Sequence, residues 1–343
     1  MRILDLKGVP SVEEKAIDAY IPYMGAKRRL ATKILNQIYR TVGDFENFYD
    51  LFGGGGSMSV AAYDAGHTVY YNELNKGIAA LMEYITYGGK IDPKWVSREH
   101  FMENKDRDDW YGGYIKSVWS FGNNQRVYLF GKDIQEMKRL GHEAVVNKDD
   151  EVLEKIREIL RLDIPPLEGD TIRERRMIFT GYIRKMTKDE HKAELQQLAR
   201  LEQLEQLARL ARLERLQQLE QLARLERLQQ LERLEQLERL EQLQRFNISD
   251  LSYDAVSISQ NKSIIYCDPP YRETGQYQIK GFDHEKFYEW IGKQTVPVFI
   301  SEYSMPDNFT KIASFEHRTT LYMKSGGKKT IENLYWNGIS IYK

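Results

Sequence analysis

The stretch Asp50-Leu51-Phe52-Gly53-Gly54-Gly55-Gly56-Ser57 decides the fold of this chain of 343 residues. It ends a strand-like run, 47–52, and precedes a helix-like stretch from Met58 to Ala65, after which a second strand-like run covers 67–72. A strand, a tight glycine turn, a helix and a second strand form the βαβ pattern of an open, mostly parallel sheet. The sequence therefore predicts an α/β fold.

The glycine run also predicts a ligand. Consecutive glycines let the backbone turn tightly and let a ligand approach it closely, and the helix that follows presents free N–H groups at its N-terminus. The second strand ends in Asn72-Glu73, where an acidic residue accepts hydrogen bonds from ribose hydroxyls. The pattern matches neither the GxGxxG of dehydrogenases nor a P-loop, yet it favours an adenosine-containing cofactor.

A second motif, Asp268-Pro269-Pro270-Tyr271, ends the strand-like run 263–268. Two prolines fix φ and remove two N–H donors, so this corner leaves the aspartate and a prolyl carbonyl as acceptors. Such corners lie at the carboxyl end of a strand, where open α/β sheets bind ligands. With the Tyr271 ring beside them, these acceptors suit a planar substrate that bears an NH₂ group.

Composition excludes several classes of protein. Aromatic residues make up 12% of the chain, which excludes an intrinsically disordered protein. The single cysteine, Cys267, excludes an internal disulfide and a cysteine-based zinc site. Strand alternation turns Cys267 away from the side of Asp268 and predicts a buried core thiol. The six histidines form no HxxxH or HExxH pattern, so no metal site is expected.

Charge and hydropathy describe the expected surroundings of the protein. The net charge is −1, which counts mildly against a nucleic-acid binder. No apolar run reaches the roughly 20 residues of a membrane helix, and the first residues lack the apolar core of a signal peptide. A soluble intracellular protein is expected. Local basic strips nevertheless lie within 172–192 and 324–329, and they contain Arg173, Arg175, Arg176, Arg184, Lys185, Lys188, Lys192, Lys324, Lys328 and Lys329.

The pattern along the chain predicts four parts. Residues 1–92 form the first half of an α/β domain, and residues 246–343 return to strand-like runs that form its second half. Between them, residues 93–192 are polar and basic, with interspersed Trp, Tyr and Gly, which indicates an inserted, mainly helical module. Residues 193–245 form a leucine-triplet repeat segment.

The repeat segment has a leucine at every third position from Leu195 to Leu243, separated almost only by Glu, Gln, Arg and Ala. These residues are strong helix formers, so we expect a helix. A step of three residues rotates the leucine by about −60° around a helix, so the stripe circles it instead of forming a heptad seam. A tolerated repeat expansion is one interpretation, and an arm for oligomerisation or for clamping DNA is the other.

The glycine loop and the DPPY motif together resemble those of the S-adenosylmethionine-dependent amino-methyltransferases. Their order, with a large segment between them, resembles the Dam-type, or class alpha, DNA adenine N6-methyltransferases, including versions encoded by phages or mobile elements. Three further stretches are similar to motifs of that family: Tyr23-Met24-Gly25-Ala26-Lys27, Ser117–Arg126 and Lys329–Leu334. The resemblance implies a methyltransferase-type sheet, an inserted target-recognition domain, S-adenosylmethionine as cofactor and double-stranded DNA as partner.

The resemblance also implies roles for named residues. Asp268 and the Pro269 carbonyl would hold the adenine amine, the corner would be completed by Pro270, and Tyr271 would stack on a flipped-out base. The expected cofactor contacts are Tyr23, Gly25, Lys27, Asp50, Phe52, Gly53, Gly54, Gly55, Gly56, Ser57, Glu73 and Asp268. The expected DNA contacts are Trp119, Asn123, Asn124, Arg126, Arg175, Arg176 and Lys328, of which Asn and Arg suit adenine and guanine edges or phosphates.

Two other functions remain open at this point. An RNA adenine methyltransferase would use the same DPPY chemistry on another nucleic acid. A non-catalytic assembly or DNA-binding protein would keep the fold and use the repeat segment as its working part. Retained cofactor binding and methyl transfer distinguish these from a DNA methyltransferase.

Overall fold

The structure is a computed structural model, and it describes residues 3–4, 9–198, 229–240, 246–271, 282–318 and 329–341. Its main feature is a seven-stranded sheet with the order β5-β4-β3-β6-β7-β9-β8. The strands of this sheet are β3 (Asn47–Asp50), β4 (Thr68–Asn72), β5 (Asn247–Ser249), β6 (Ser263–Cys267), β7 (Val298–Glu302), β8 (Thr310–Arg318) and β9 (Lys329–Trp336). Two short strands, β1 (Ile3–Leu4) and β2 (Pro10–Ser11), pair separately.

The sheet is mostly parallel, as the sequence predicted. Strands β5, β4, β3, β6 and β7 run parallel to one another, whereas β9 is antiparallel to both β7 and β8. Strand β3 lies between β4, which follows it in sequence, and β6, which begins more than two hundred residues after β3. The chain thus leaves β3 in one direction and returns to its other side. Such a switch point opens a crevice at the carboxyl ends of the strands, where ligands of α/β folds bind.

Ten α-helices lie within the described residues. They are α1 (Ala31–Val42), α2 (Ser57–Asp64), α3 (Lys76–Thr86), α4 (Arg98–Asn104), α5 (Trp110–Val118), α6 (Gln135–Val146), α7 (Asp150–Leu160), α8 (Ile172–Leu198), α9 (Gln229–Leu240) and α10 (His284–Gly292). Among them, none combines the length and the apolar character that crossing a bilayer requires. Across the same parts of the chain, no group of three or more His, Cys, Asp or Glu side chains is arranged to hold a metal ion.

Helices α1 and α10 bury apolar faces in the core. In α1 the buried residues Ile34, Leu35 and Ile38 recur at helical spacing, which is the pattern of a helix with one face in the core. Helix α10 contributes Phe287 and Ile291 to a cluster that also contains inward-facing strand residues. Cys267 belongs to this cluster and is fully buried, as strand alternation predicted.

The chain divides into two compact units. The first comprises residues 1–90, 103–126 and 236–343, and the second comprises 91–102 and 127–235. This differs from the predicted module 93–192, because 103–126 belongs to the first unit. The reason is that α5 packs on α3: the rings of Tyr84 and Trp110 stack with centroids 4.0 Å apart, and Lys116 Nζ donates to Asn75 Oδ1 over 3.0 Å.

The leucine-triplet segment is described in two pieces, and both are helical. Helix α8 reaches Leu198, and α9 covers 229–240. In α9 the leucines at every third position are buried, and so are Arg233 and Glu235, which lie between them. Burial on several sides of one helix fits a leucine stripe that circles the helix axis. The rest of the segment lies outside the described residues.

The burial of the single cysteine gives a direct test of this packing. Burial raises the pKa of the Cys267 thiol well above its usual range, and the carboxylates of Asp50 and Asp268 raise it further. Because the thiolate is the reactive form, we expect the native protein to react with a thiol reagent at least about a hundred-fold more slowly than the urea-unfolded chain. Absorbance of the released chromophore measures both rates, and equal rates would contradict the buried position.

Candidate active site

The glycine loop connects β3 to α2 and lies at the carboxyl edge of the sheet. Gly56 has a φ of +79°, in the left-handed region that favours glycine, and it precedes the first residue of α2. At Gly55 any Cβ would come within 2.4 Å of the Ile21 carbonyl oxygen, and Ile21 N donates to Gly55 O over 2.8 Å. The loop is therefore packed tightly against residues 21–23, which brings Tyr23 beside it.

Glu73 fixes the same loop from the end of β4. Its carboxylate accepts hydrogen bonds from Gly54 N over 2.9 Å and from Asn75 N over 2.8 Å. Burial raises the pKa of Glu73, and these two N–H donors oppose the rise. The hydroxyl of Tyr71 donates to Gly54 O over 2.7 Å. Glu73 thus holds the loop in place, and each of its oxygens retains a second lone pair for a ligand.

Asp50, the last residue of β3, is 1% exposed. The Ser59 hydroxyl donates to its Oδ2 over 2.7 Å. Burial raises the pKa of Asp50 to about 7, and the negative charges of Asp268 and Glu73 contribute to the rise. A carboxyl group in this state is a favourable position for a cationic ligand, whose charge would compensate for the lost hydration.

Asp268 follows β6 directly and is held by a lysine from the other end of the chain. Lys27 Nζ lies 2.9 Å from Asp268 Oδ1 and 2.7 Å from Oδ2. It lies 3.5 Å from Glu332 Oε1 on β9 and 3.4 Å from the carbonyl oxygen of Gly25. Burial raises the pKa of Asp268, the Lys27 charge lowers it, and the Glu332 charge raises it again. Burial alone would lower the pKa of Lys27, but the two carboxylates outweigh it and raise the pKa.

The Tyr271 ring stands beside this charged group. Lys27 Nζ lies 5.1 Å from the centroid of the ring, within the range of a cation–π contact. Tyr303, which follows β7, meets the Tyr271 ring edge to face with centroids 4.7 Å apart. Pro269 is buried, whereas Pro270 and Tyr271 are half-buried. The corner therefore keeps an aromatic surface next to the Asp268 carboxylate.

Neighbouring parts of the crevice hold the other expected cofactor residues. Ser57 is the first residue of α2, and its hydroxyl is buried without a hydrogen-bond partner in the part of the chain that the structure describes. Phe52 is half-buried in an aromatic cluster with Tyr253 and Phe287. The glycine loop and the DPPY corner therefore lie at one edge of the sheet. The segment 23–27 and Glu73 lie at the same edge.

The stretch 117–126 differs in part from the sequence prediction. Trp119 is fully buried, and its Nε1 donates to the Tyr114 hydroxyl over 3.1 Å, so the prediction that it contacts DNA is wrong for this structure. Phe121, for which the sequence pattern predicted no role, is 62% exposed. Asn123 and Asn124 are half-buried and Arg126 is exposed. Trp119 directly follows α5, and its backbone N–H donates to the carbonyl oxygen of Ile115 in that helix.

The basic residues of α8 also differ in part from the sequence prediction: some are buried or paired, and others are exposed. Arg175 is 5% exposed and donates to the carbonyl oxygens of Val145 and Val146, so it ties helices together and has no free face for DNA. Arg176 forms ion pairs with Glu232 over 3.0 Å and Glu235 over 2.7 Å. Both predicted DNA contacts are therefore corrected to structural roles. Arg173, Arg184 and Lys185 are exposed, and Lys328 lies outside the described residues.

Glu332 is the site residue for which the sequence pattern predicted no role. It is 3% exposed and lies in the stretch Lys329–Leu334, which resembled only the closing strand of the family. An isolated glutamate in a strand carries no signal of its own. Its position depends on the sheet, in which β9 pairs with β7 and carries Glu332 beside the Lys27–Asp268 pair.

The ionisation of Asp50 predicts a pH-dependent effect on stability. A protonated Asp50 stabilises the folded protein fully below about pH 4, and this contribution is lost as pH rises through the folded pKa of about 7. Asp50→Asn carries no charge and still accepts from Ser59. We expect its stability relative to the wild type to increase by about 2 kcal/mol between pH 5 and pH 8.

Urea unfolding at the two pH values measures this difference. The exposed Asp307→Asn variant, which makes the same side-chain change at the surface, is the control. A stability difference for Asp50→Asn that is constant from pH 5 to pH 8 would contradict the raised pKa.

Comparison with known proteins agrees with the geometry. A family model described as D12 class N6 adenine-specific DNA methyltransferase matches residues 23–298, which is most of the chain. No curated protein shows a significant match. The matched range contains the glycine loop, Glu73 and the DPPY corner.

Proposed function

The chain belongs to the D12 class of N6 adenine-specific DNA methyltransferases, and we propose that the loops after β3 and β6 form its active site. The protein thus methylates the N6 amine of adenine in DNA, and its family implies S-adenosylmethionine as the methyl donor. The alternatives of an RNA methyltransferase and of a non-catalytic assembly protein are not favoured by this membership. The main support for this active site is the Asp268 carboxylate, which Lys27 holds beside the glycine loop.

The residues around the loop fit a cationic sulfonium cofactor. Asp50, Glu73 and Asp268 are enclosed carboxylates, and the charges of the last two act on Asp50. The buried Ser57 hydroxyl at the start of α2 offers a further polar contact. In this proposal Asp50 faces the amine of the methionine part and Glu73 faces the ribose. The other proposed contacts are Tyr23, Gly25, Lys27, Phe52, Gly53, Gly54, Gly55 and Gly56.

The chemistry at Asp268 follows from the acceptors of the corner. When bound, S-adenosylmethionine supplies the methyl group. Adenine N6 is a poor nucleophile because its lone pair is delocalised into the ring. Asp268 and the Pro269 carbonyl accept the two N–H hydrogens, which draws the nitrogen toward tetrahedral geometry and localises its lone pair for in-line attack. The methylated nitrogen would then release one proton along its hydrogen bond to the Asp268 carboxylate. Lys27 keeps Asp268 ionised, so that the carboxylate remains an acceptor.

The target base must leave the duplex to reach this corner. Tyr271 is the proposed stacking surface for the flipped adenine, and Tyr303 fixes the plane of its ring by the edge contact described above. Stacking of a base on an aromatic ring contributes about 1–3 kcal/mol. The fully buried Cys267 takes no part, and the reaction requires no covalent enzyme intermediate.

The proposed DNA contacts lie on two parts of the chain. The turn after α5 presents Phe121 and Arg126, and its backbone is held in the left-handed region at Asn123 (φ +58°) and Gln125 (φ +61°). Strained backbone of this kind concentrates at functional sites. On α8, exposed basic side chains are the proposed phosphate contacts, and Lys328 and oligomerisation through 193–245 stay predictions. The proposed contacts are Phe121, Asn123, Asn124, Arg126, Arg173, Arg184 and Lys185.

Loss of the acceptor at Asp268 should abolish methylation. We expect wild-type protein to place N6-methyladenine at one short sequence motif of unmethylated genomic DNA, as read by methylation-sensitive sequencing. Asp268→Asn should reduce the rate about a thousand-fold or more, because an amide is a weak acceptor and carries no charge. The exposed Asp307→Asn variant should retain the wild-type rate. Cofactor binding without any methylation of DNA by the wild type would contradict the proposal.

The exposed ring of Phe121 should contribute to DNA affinity. Phe121→Ala should weaken binding to duplex DNA about ten-fold, which is the size of one lost stacking contact. Tyr87→Ala is the control, since Tyr87 is also an exposed aromatic residue of the same unit, with 54% exposure. Fluorescence anisotropy with a labelled duplex at fixed salt measures both affinities. Equal affinities of the two variants would show that Phe121 does not face DNA.

A further inference from the structure

Two carboxylates, Asp268 and Glu332, and one ammonium, Lys27, lie together at the substrate end of the proposed site. The exposed fractions of the side chains are 21% for Asp268, 9% for Lys27 and 4% for Glu332. Asp268 is thus the member that faces outward, and Glu332 is the member that lies deepest. Glu332 reaches this place because β9 is inserted in the sheet between β7 and β8.

The geometry of the Lys27–Asp268 pair raises a difficulty for substrate binding. The ammonium lies at hydrogen-bond distance from both oxygens of Asp268, 2.9 and 2.7 Å away. Each oxygen keeps a second lone pair, but the bound ammonium withdraws electron density from the carboxylate and makes it a weaker acceptor for an adenine amine. Asp268 becomes the stronger acceptor when Lys27 moves away from one oxygen. An ammonium in a largely enclosed position moves only toward another acceptor, since leaving it unpaired is costly.

Glu332 is the acceptor that lies on this path. Its Oε1 is 3.5 Å from Lys27 Nζ, which is less than 1 Å beyond the 2.7 Å of the closer contact with Asp268. A small rotation of the lysine side chain converts the longer contact into a charge-assisted hydrogen bond, which lies in the range of about 2.7–2.9 Å. Gly25 O, 3.4 Å from the ammonium, is neutral and offers a weaker contact.

From this arrangement we infer that Glu332 is a positioning residue, which takes the Lys27 ammonium from Asp268 when the adenine amine binds. Glu332 touches no reacting atom in this account and acts only through Lys27. The inference rests on the proposed function, because it assigns the acceptor role to Asp268. It extends that function by explaining how an aspartate that is already paired becomes available to the substrate.

The inference predicts a specific kinetic defect for Glu332→Gln. The amide keeps the shape of the side chain but loses the charge that attracts Lys27, so the lysine stays on Asp268. We expect kcat for methylation to fall about ten-fold or more, the usual effect of removing a group that orients a catalytic side chain. The Kd for S-adenosylmethionine should change less than about three-fold. Glu332→Asp, which keeps the charge, should recover part of the lost rate.

The pH profile separates positioning from a merely structural role. Asp268 is a strong, charged acceptor only when ionised, so activity is lost as pH falls through its pKa. Glu332 raises that pKa, and its neutralisation should move the acid limb of the kcat profile to lower pH. Asp50 titrates nearby and responds to Asp268, so the difference between variant and wild type is used. The other groups that interact with Asp268 are Lys27, Tyr266, Cys267, Tyr271 and Tyr303.

A double-mutant cycle tests whether Glu332 acts through Lys27. In a Lys27→Gln background, Glu332→Gln should lower kcat by less than about two-fold further, because the group that it positions is already gone. Glu316→Gln, at an exposed position of the neighbouring strand β8, carries the same charge change and should keep the wild-type rate.

Several results would overturn the inference. An unchanged kcat in Glu332→Gln, an unmoved acid limb, or equal losses in both backgrounds would each show that Glu332 does not position Lys27. A parallel loss of melting temperature and cofactor binding in Glu332→Gln and Glu332→Asp would assign it to folding instead. Absence of methylation by the wild type would be a failure of the proposed function itself, which the wild-type assay reveals before any variant is compared.

Discussion

The ion pair between Lys27 and Asp268 is the interaction on which the site depends. It joins two residues separated by 241 positions in the chain, and it places a positive charge among several enclosed carboxylates. Without that charge, burial would favour the protonated form of Asp268. A protonated carboxyl group is a weaker hydrogen-bond acceptor for the adenine amine. The pair thus connects the order of strands in the sheet to the protonation state on which methyl transfer depends.

The topology of the sheet explains why this pair forms. Strand β3 carries the glycine loop, β6 carries the DPPY corner, and the two strands are hydrogen-bonded neighbours in register from Asn47 and Ser263 onward. The two loops therefore leave the same edge of the sheet side by side. The segment before α1 crosses this edge and packs against Gly55, which brings Lys27 to Asp268. Together, the two loops and the segment before α1 form the crevice.

The same contacts show that one residue type serves binding and structure together. Glu73 is proposed to face the cofactor ribose, yet its carboxylate already accepts two backbone N–H groups that hold the glycine loop. Asp50 is held by Ser59, and its pKa lies near neutrality because burial and two neighbouring carboxylates outweigh that hydrogen bond. A cationic ligand would offset the cost of burying the negative charge of Asp50. The fold therefore preorganises the site for such a ligand.

The sequence by itself determined the parallel α/β sheet, the two motifs at its carboxyl edge, the family and the buried position of Cys267, because these follow from local patterns of glycine, proline and strand alternation. Tertiary structure alone decided which side chains of the recognition stretch are exposed. Trp119 and Phe121 are two residues apart and both aromatic, yet the first is fully buried and bonded to the Tyr114 hydroxyl, whereas the second is 62% exposed. The sequence predicts phosphate contacts at Arg175 and Arg176. In the structure Arg175 donates to backbone carbonyl oxygens and Arg176 pairs with two carboxylates, from residues far away in sequence. Glu332 has no local signature at all, since its role arises from strand order, which a one-dimensional pattern does not encode.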